Sequence, residues 1–512
     1  MPRPRRSSRP SVLIIGSEAL PFAKTGGLAD VLGALPVAIA GLGWDVTVVL
    51  PKYRGVVGGE RVDAFPLTVG GHTVEIGFDY APMGPVDSGA RAILVDVPEL
   101  FDRDGYYHTN TPGKIKNDDI EYADNPRRFA VLARAALEFA ARASSGRGLS
   151  LVHAHDWHAG LAPVYLQTRY ANHPTLGGVP SVFTIHNLAY QGNCSADWLP
   201  RLDLPWNLLD MEKLEFWGQI SFLKGGINFS RMVTTVSARY AEEIQTPAQG
   251  FGFDGILRRR ATDLVGILNG IDTAQWDPGH DPALPAPFSA ADFAGKRAAK
   301  IALLRRYGLA NDKAALDRPL VGMISRMVEQ KGFGLIAELG DALPALDAGF
   351  VVLGTGDPRY QDMWRDLAKR HPDRIGATIG FDERLAHLIE AGADIFLMPS
   401  QWEPCGLNQM YSLRYGTVPV VRAVGGLADT VRDYEAPARP GRSTSTGFVF
   451  DDYTPAALLA ALQRALVLFK DGRKWRTLQA TGMKQDHSWD RSAREYVKIY
   501  ERAMRAGARR LD

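Results

Sequence analysis

Residues Ser11–Leu50 read SVLIIGSEALPFAKTGGLADVLGALPVAIAGLGWDVTVVL. An apolar run, Val12–Gly16, leads through a short loop to the glycine pair Gly26–Gly27, which opens a helical stretch before a second apolar run, Val46–Leu50. Strand, glycine loop, helix and strand form the unit from which parallel sheets covered on both faces are wound. Further strand-like runs follow at Ala92–Val97, Leu151–His155, Ser181–Ile185 and Met232–Val236, with helical sequence such as Arg127–Ala143 between them. Near Asp272 the pattern breaks into a Pro- and Ala-rich stretch, DPGHDPALPAPFSAADFAG (Asp277–Gly295). A second series then begins: Leu320–Ile324, Phe350–Gly354, Ala377–Gly380, Asp394–Met398, Val418–Val421 and Gly447–Phe450, with helical sequence from Pro455 onward. At 512 residues the chain exceeds one ordinary core. The expectation is an α/β protein of two doubly wound, Rossmann-like domains facing a central cleft. The expected divisions are a basic disordered tail over 1–10, a first domain over 11–268, a second over 269–485, and a helix over 486–512 returning to the first. Ligands of such sheets bind beyond the carboxyl ends of the strands. The architecture alone also suits a binding protein or an epimerase.

Basic and acidic residues nearly cancel, 59 against 57, which argues against a nucleic-acid or membrane surface because either partner needs a concentrated excess of cations. The two cysteines, Cys194 and Cys405, lie far apart, so neither a disulfide framework nor a zinc site is expected, and a reducing, cytoplasmic compartment fits. The opening MPRPRRSSRP has no apolar segment and is not read as a secretory signal; a disordered tail is expected rather than a transit peptide.

The pentapeptide GGLAD occurs twice, at Gly26–Asp30 and Gly425–Asp429, each time where a loop should open a helix. Paired glycines let the backbone approach a ligand, and the helix start offers free N–H groups. Either copy alone reads as a glycine turn; together they point to an anion held between the domains. Lys24-Thr25-Gly26-Gly27 couples a cation to the first pair, as a diphosphate requires, but it is no Walker loop because the lysine precedes the glycines. Gly354-Thr355-Gly356 lacks the third glycine of a dinucleotide fingerprint, which argues against an oxidoreductase. Arg326 and Lys331 follow the run Leu320–Ile324 and place two cations at a strand's carboxyl end, where they could stabilise a departing diphosphate. Glu403 follows Asp394–Met398; a carboxylate there could accept from sugar hydroxyls or cap a helix. His153 and His155 would share one strand face, which is compatible with metal ligation, but no distant Cys or carboxylate partner is evident and no metal is expected. Cys405 has no histidine base assigned to it and reads as a packing or contact residue. Asn269 stands in an Asn-Gly turn.

Lys24–Val31 resembles the donor loop of the bacterial glycogen synthases and plant starch synthases that use ADP-glucose. Similar matches run in order along the chain: HAHDWHAGL (His153–Leu161), TIHNLAYQG (Thr184–Gly192), SFLKGGI (Ser221–Ile227), TTVSARYAEEI (Thr234–Ile244), LNGID (Leu268–Asp272), SRMVEQKG (Ser325–Gly332) and PSQWEPCGLNQM (Pro399–Met410). The resemblance implies a GT-B, retaining glucosyltransferase acting in glycogen biosynthesis, with ADP-glucose as donor, an α-1,4-glucan as acceptor and no cofactor. It implies that Arg326 and Lys331 hold the donor phosphates, that Glu403 binds the glucose, and that Gly406, Leu407 and Asn408 present backbone amides. His186 would contact the transferred glucose and turn its carbonyl to the anomeric centre, with Asp156 a further site candidate. Lys24, Gly26, Gly27, Asn187, Asn269, Ser325, Gly354, Cys405 and Tyr411 fall on the donor side. Two positions depart from the wider pattern. Tyr411 stands where many related transferases carry a ribose-binding Glu, as it does in the ADP-glucose enzymes, and Asn408 stands where Thr is usual. A UDP-glucose transferase making a small saccharide, and a silent glucan-binding paralogue, are the rival readings. The joint presence of Lys24, His186, Arg326, Lys331 and Glu403 speaks against the second. Oligomeric state and primer length are not legible.

Overall fold

The computed structural model describes residues 9–85, 88–109, 121–143, 148–435 and 444–505. The expected tail over 1–10 therefore lies almost wholly outside the described residues.

The first half builds β1 (Ser11–Ile15), β2 (Asp45–Pro51), β3 (Glu60–Val69), β4 (His72–Pro82), β5 (Ala90–Asp96), β6 (Leu151–His155) and β7 (Ser181–Ile185). The short strands β8 (Asn193–Ser195), β9 (Glu215–Phe216) and β10 (Gln219–Ser221) follow, then β11 (Met232–Thr235) and β12 (Leu264–Gly266). Nine of these form one sheet in the order β12-β11-β7-β6-β1-β2-β5-β4-β3. From β12 to β5 every pairing is parallel, while β4 and β3 add an antiparallel hairpin at one edge. Strand β1 explains the two-faced core. Leu13 and Ile15 pack with the helix Asn125–Ala143, whereas Val12 and Ile14 pack with the helices Gly27–Gly41 and Trp489–Arg505. Both faces of a parallel strand are thus dry, which is why its sequence is continuously apolar rather than alternating.

The second half is a six-stranded, fully parallel sheet of β13 (Leu320–Ile324), β14 (Gly349–Gly354), β15 (Ile375–Ile379), β16 (Ile395–Met398), β17 (Val418–Arg422) and β18 (Phe448–Phe450), in the order β15-β14-β13-β16-β17-β18. The order reverses between β13 and β16, and at such a switch point the loops diverge and leave a crevice. The expected strands are all present with ends shifted by a few residues; the hairpin β3–β4, the three-stranded β8–β10 sheet and β12 were not anticipated.

The helix Trp489–Arg505 lies against Gly27–Gly41 of the first half. Tyr500 Oη meets His153 Nδ1 at 2.7 Å, and Ser492 Oγ donates to the Leu268 carbonyl at 2.6 Å. Among the described residues, no helix is long and apolar enough to cross a membrane.

Candidate active site

At the β13–β16 switch point a cavity of about 180 Å³ opens between the loop after β13 and the segment after β16. Ser325, Arg326, Lys331, Glu403, Gly406, Leu407 and Asn408 all line it. Lys331 ends a tight turn, Glu329–Lys331, and its ammonium meets Glu403 Oε2 at 2.5 Å, while Ser400 Oγ donates to the same oxygen at 3.0 Å. Glu403 is buried, so Lys331 balances a charge that would be costly alone. Arg326 is exposed, and its guanidinium has no ion pair among the described residues. Asn408 spends its side chain internally: Nδ2 donates to the Ile324 carbonyl at 2.6 Å and fixes the end of β13. Gly406 sits at φ +71°, a conformation glycine adopts without strain, just before the helix Asn408–Arg414.

Gly354, Cys405, Asn269 and Tyr411 do not line this cavity. A Cβ on Gly354 would stand 1.9 Å from the Ser325 carbonyl, so this glycine lets β14 close on β13 rather than facing the cavity. Cys405 is buried and its thiol is pushed up to about 12 by burial, which leaves it protonated and unsuited to attack. The Asn269 N–H bonds toward that sulfur, and Asn269 Oδ1 is buried without a protein partner. Tyr411 lies outside the cavity, stacked on Trp276 at 3.8 Å.

The first half contributes strand ends. Asp156 leaves β6 at φ +54°, a left-handed conformation that costs a non-glycine residue roughly 1–3 kcal/mol. Its Oδ1 accepts the His186 N–H at 2.8 Å, and Asn187 offers a second backbone N–H. Burial outweighs these donors and raises its carboxyl to about 7. His186 leaves β7, and its Nε2 meets His155 Nδ1 at 2.9 Å. Burial lowers the His186 imidazole to about 3, so it is neutral at physiological pH. Asn187 caps its own turn, accepting from the Ala189 N–H at 3.1 Å. Both nitrogens of His153 are taken, by Tyr500 and by Thr184 at 2.6 Å. Among the described residues no group of three or more His, Cys, Asp or Glu stands together as a metal site. The phenol of Tyr240, buried between the halves, is raised by desolvation and by the charges of Asp156, Glu243 and Glu403, so acids from both sheets converge on it.

The two GGLAD copies differ. At the first, Gly26 and Gly27 face open space, with no heavy atom within 4 Å of a built Cβ. Lys24 Nζ pairs with Asp30 at 2.7 Å, and the Glu18 carboxylate accepts from the Thr25 N–H and hydroxyl and, at 3.4 Å, from the Gly26 N–H. Asp30 also feels Glu383 of the second half, so the loop looks across the cleft. At the second copy the anion is the protein's own: Glu243 of the first half accepts the Gly425 N–H at 3.1 Å from both oxygens. At Gly425 the place of an anion is thus taken by Glu243, and the open glycines are those of the first copy. Glu18, Ser400 and Glu243 are not among the expected site residues: Glu18 and Ser400 bond to near neighbours, Thr25 and Glu403, within segments that the sequence singles out, whereas Glu243 acts on a partner 182 positions away and carries no local signal.

Two family profiles match the chain: one described as the starch synthase catalytic domain over residues 11–259, and one described as glycosyl transferases group 1 over residues 310–477. A glycogen synthase of Anaeromyxobacter dehalogenans is 48% identical over 493 residues, covering 96% of this chain and 98% of that protein. A glycogen synthase of Koribacter versatilis is 44% identical over 502 residues, covering 97% and 99%. Among solved structures, the catalytic domain of starch synthase IV from Arabidopsis thaliana bound to ADP and acarbose superposes with a TM-score of 0.85 at 33% identity, covering 98% of this chain and all of that one. A sucrose-phosphate synthase from Thermosynechococcus elongatus shares the fold, with a TM-score of 0.58 at 16% identity.

Proposed function

Because the chain belongs to the glycogen and starch synthase family of GT-B glycosyltransferases, we propose that it lengthens an α-1,4-glucan, moving glucose from ADP-glucose to the non-reducing 4-hydroxyl with retention of configuration. The observation that carries this reading is the cavity in which Arg326 and the Lys331–Glu403 pair meet, with the open Lys24–Gly27 loop on the other half.

The donor diphosphate lies between that loop and the two cations, and its glucose lies against Glu403 and the Gly406–Asn408 backbone. As the anomeric bond breaks, charge builds on the departing ADP, and Arg326 and Lys331 stabilise it without reorganising. In the free protein Lys331 is shared with Glu403; on donor entry it bridges carboxylate and phosphate. Glu403, Asp156 and the His186 carbonyl surround the sugar where positive charge develops. The mechanism is a front-face displacement: the acceptor 4-hydroxyl adds on the face that ADP leaves, and its proton goes to the departing phosphate oxygen. Asn269, with its unpartnered Oδ1, contributes on the donor side.

The test is turnover with ADP-glucose against UDP-glucose, each with and without glycogen. Primer-dependent transfer from ADP-glucose is expected; transfer only from UDP-glucose, or none, would overturn the reading. Arg326→Ala and Lys331→Ala should each depress kcat about a hundredfold, more than they raise KM, and the double variant should lose less than the product. Stability separates the two. Arg326 is exposed and unpaired, so its loss leaves unfolding unchanged, whereas removing Lys331 leaves Glu403 buried alone and lowers the melting temperature. Near-normal kcat in both variants would show that the charge is neutralised elsewhere.

A further inference from the structure

Behind His186, strands β6, β7 and β11 pack a polar cluster of His153, His155, Thr184 and Thr234, all wholly buried, and none of them enters the transfer above. His153 is held by Tyr500 Oη on one nitrogen and by Thr184 Oγ1 on the other, and Thr184 Oγ1 meets Thr234 Oγ1 at 2.6 Å. One polar atom of the cluster is left over: His155 Nε2 is buried without a partner. The other nitrogen of that ring, Nδ1, meets His186 Nε2 at 2.9 Å. The two ring centroids are 5.2 Å apart and the planes lie 28° from parallel. With so short a contact between nitrogens, that separation sets the rings edge to edge, so the proton of one nitrogen points along the lone pair of the other.

Burial lowers His153 and His186 to about 3 and His155 well below its ordinary range, so all three rings are neutral and a single proton serves the contact. Two arrangements of protons satisfy it. If His186 Nε2 is the donor, His155 carries its proton on Nε2, as a buried N–H with no acceptor. If His155 Nδ1 is the donor, the atom left over is a bare lone pair. Buried N–H groups without acceptors are rarer in folded proteins than under-satisfied acceptors, which favours the second arrangement. His186 then keeps its own proton on Nδ1, the nitrogen of this half-buried ring that has no partner among the described residues.

We infer that His155 is a positioning residue: by donating from Nδ1 it fixes both the orientation and the Nδ1–H tautomer of His186, which then offers a donor to a hydroxyl of the bound glucose. The sugar in this inference rests on the glucosyl-transfer reading above; the tautomer rests on the contact alone. His153, its centroid 4.0 Å from that of His155 and its ring anchored by Tyr500 of the last helix, keeps the His155 ring from turning.

Nitrogen NMR of the protein isotopically labelled at histidine reads the tautomer, with His186 identified by the signals lost in His186→Gln. The wild type should show His186 protonated at Nδ1 and bare at Nε2; protonation at Nε2 would overturn the inference. In turnover, His155→Leu removes the donor and should lower kcat about tenfold while KM for ADP-glucose rises no more than about threefold, as for the loss of one bond that orients a reacting group. His155→Asn sets an amide nitrogen close to where Nδ1 stood, so it should recover at least about half of the wild-type kcat and keep the Nδ1–H signal of His186. An unchanged kcat in His155→Leu, or an equal loss in both variants, would overturn the inference while leaving the proposed transfer intact. If the wild type transfers no glucose, the reading of function fails instead, and the NMR signals decide the contact: His186 protonated at Nδ1 in the wild type, with that preference lost in His155→Leu, supports the assignment, and the same tautomer in both removes it.

Discussion

Asp156 combines strain with an unfavourable charge. It leaves its strand in a left-handed conformation and carries a carboxyl raised by burial to about 7, against an ordinary value of 3.8. The sign of the pH effect follows. Between about 4 and 7 the folded state retains a proton that the unfolded chain has lost, so the contribution of Asp156 to stability falls as pH climbs through that window. An asparagine side chain at this position mimics the protonated acid and can still accept the His186 N–H. The Asp156→Asn variant should therefore match wild-type melting below pH 4 and exceed it increasingly up to pH 7, while glucosyl transfer drops. Melting curves across pH 4–8 check this, and an offset independent of pH would refute it. Much of this site was legible residue by residue, because motif order fixes which Asp, His and Glu end a strand. What was not legible is how each is held. The His155–His186 contact joins two strands, and Lys331, expected on phosphate alone, also neutralises Glu403 across 72 positions.

At the scale of elements, one pentapeptide serves two purposes. Gly26 and Gly27 border open space, so Gly27→Ala should change unfolding by no more than about 0.5 kcal/mol while kcat/KM for ADP-glucose falls. Gly425 has φ +42°, and a Cβ on Gly426 would stand 2.0 Å from the Cys405 carbonyl, so Gly426→Ala should destabilise the protein by roughly 1–3 kcal/mol or more before any ligand is added. Comparable stability losses in the two variants, measured by chemical denaturation, would show that the copies are equivalent. Sequence could not separate them, since the difference is what lies opposite. The hairpin β3–β4 is another matter. Phe65, Leu67 and Val69 alternate with exposed residues, Val74, Ile76 and Phe78 continue the inward set on its partner, and Gly70–Gly71 supplies two positive φ angles between them. That signal was present, but an eye set for continuous apolar runs passes over strict alternation. The short β8, β9 and β12, of two or three residues each, carry no period to read.

For the molecule as a whole, the two sheets meet through few polar contacts outside the proposed reaction cavity. Glu243 holds the Gly425 N–H, and Asp429 accepts the Arg239 N–H at 3.0 Å. Trp276, in the connecting stretch, is sandwiched between His387 and Tyr411, each ring 3.8 Å away. Polar contacts this few among the described residues, beside the packing of Cys405, Met410 and Tyr411 into the core of the first half, fit a hinged pair of domains. Saturating ADP should contract the radius of gyration in solution scattering, and Glu243→Ala should enlarge it in the free protein. An unchanged radius with ADP, binding having been verified by calorimetry, would exclude closure.

The helix Trp489–Arg505 has a bearing on how the protein is made. Tyr496 and Tyr500 are wholly buried in the same cluster as Val12, Ile14 and Val46, yet they leave the ribosome more than two hundred residues after β12, the last strand of that sheet. At about 5–20 residues per second, the first sheet waits roughly 10–45 s with one apolar flank uncovered. During that interval the nascent chain presents a sticky groove that only its own late segment, or a chaperone, can shield, so the cell's capacity to protect unfinished chains becomes part of what this architecture requires.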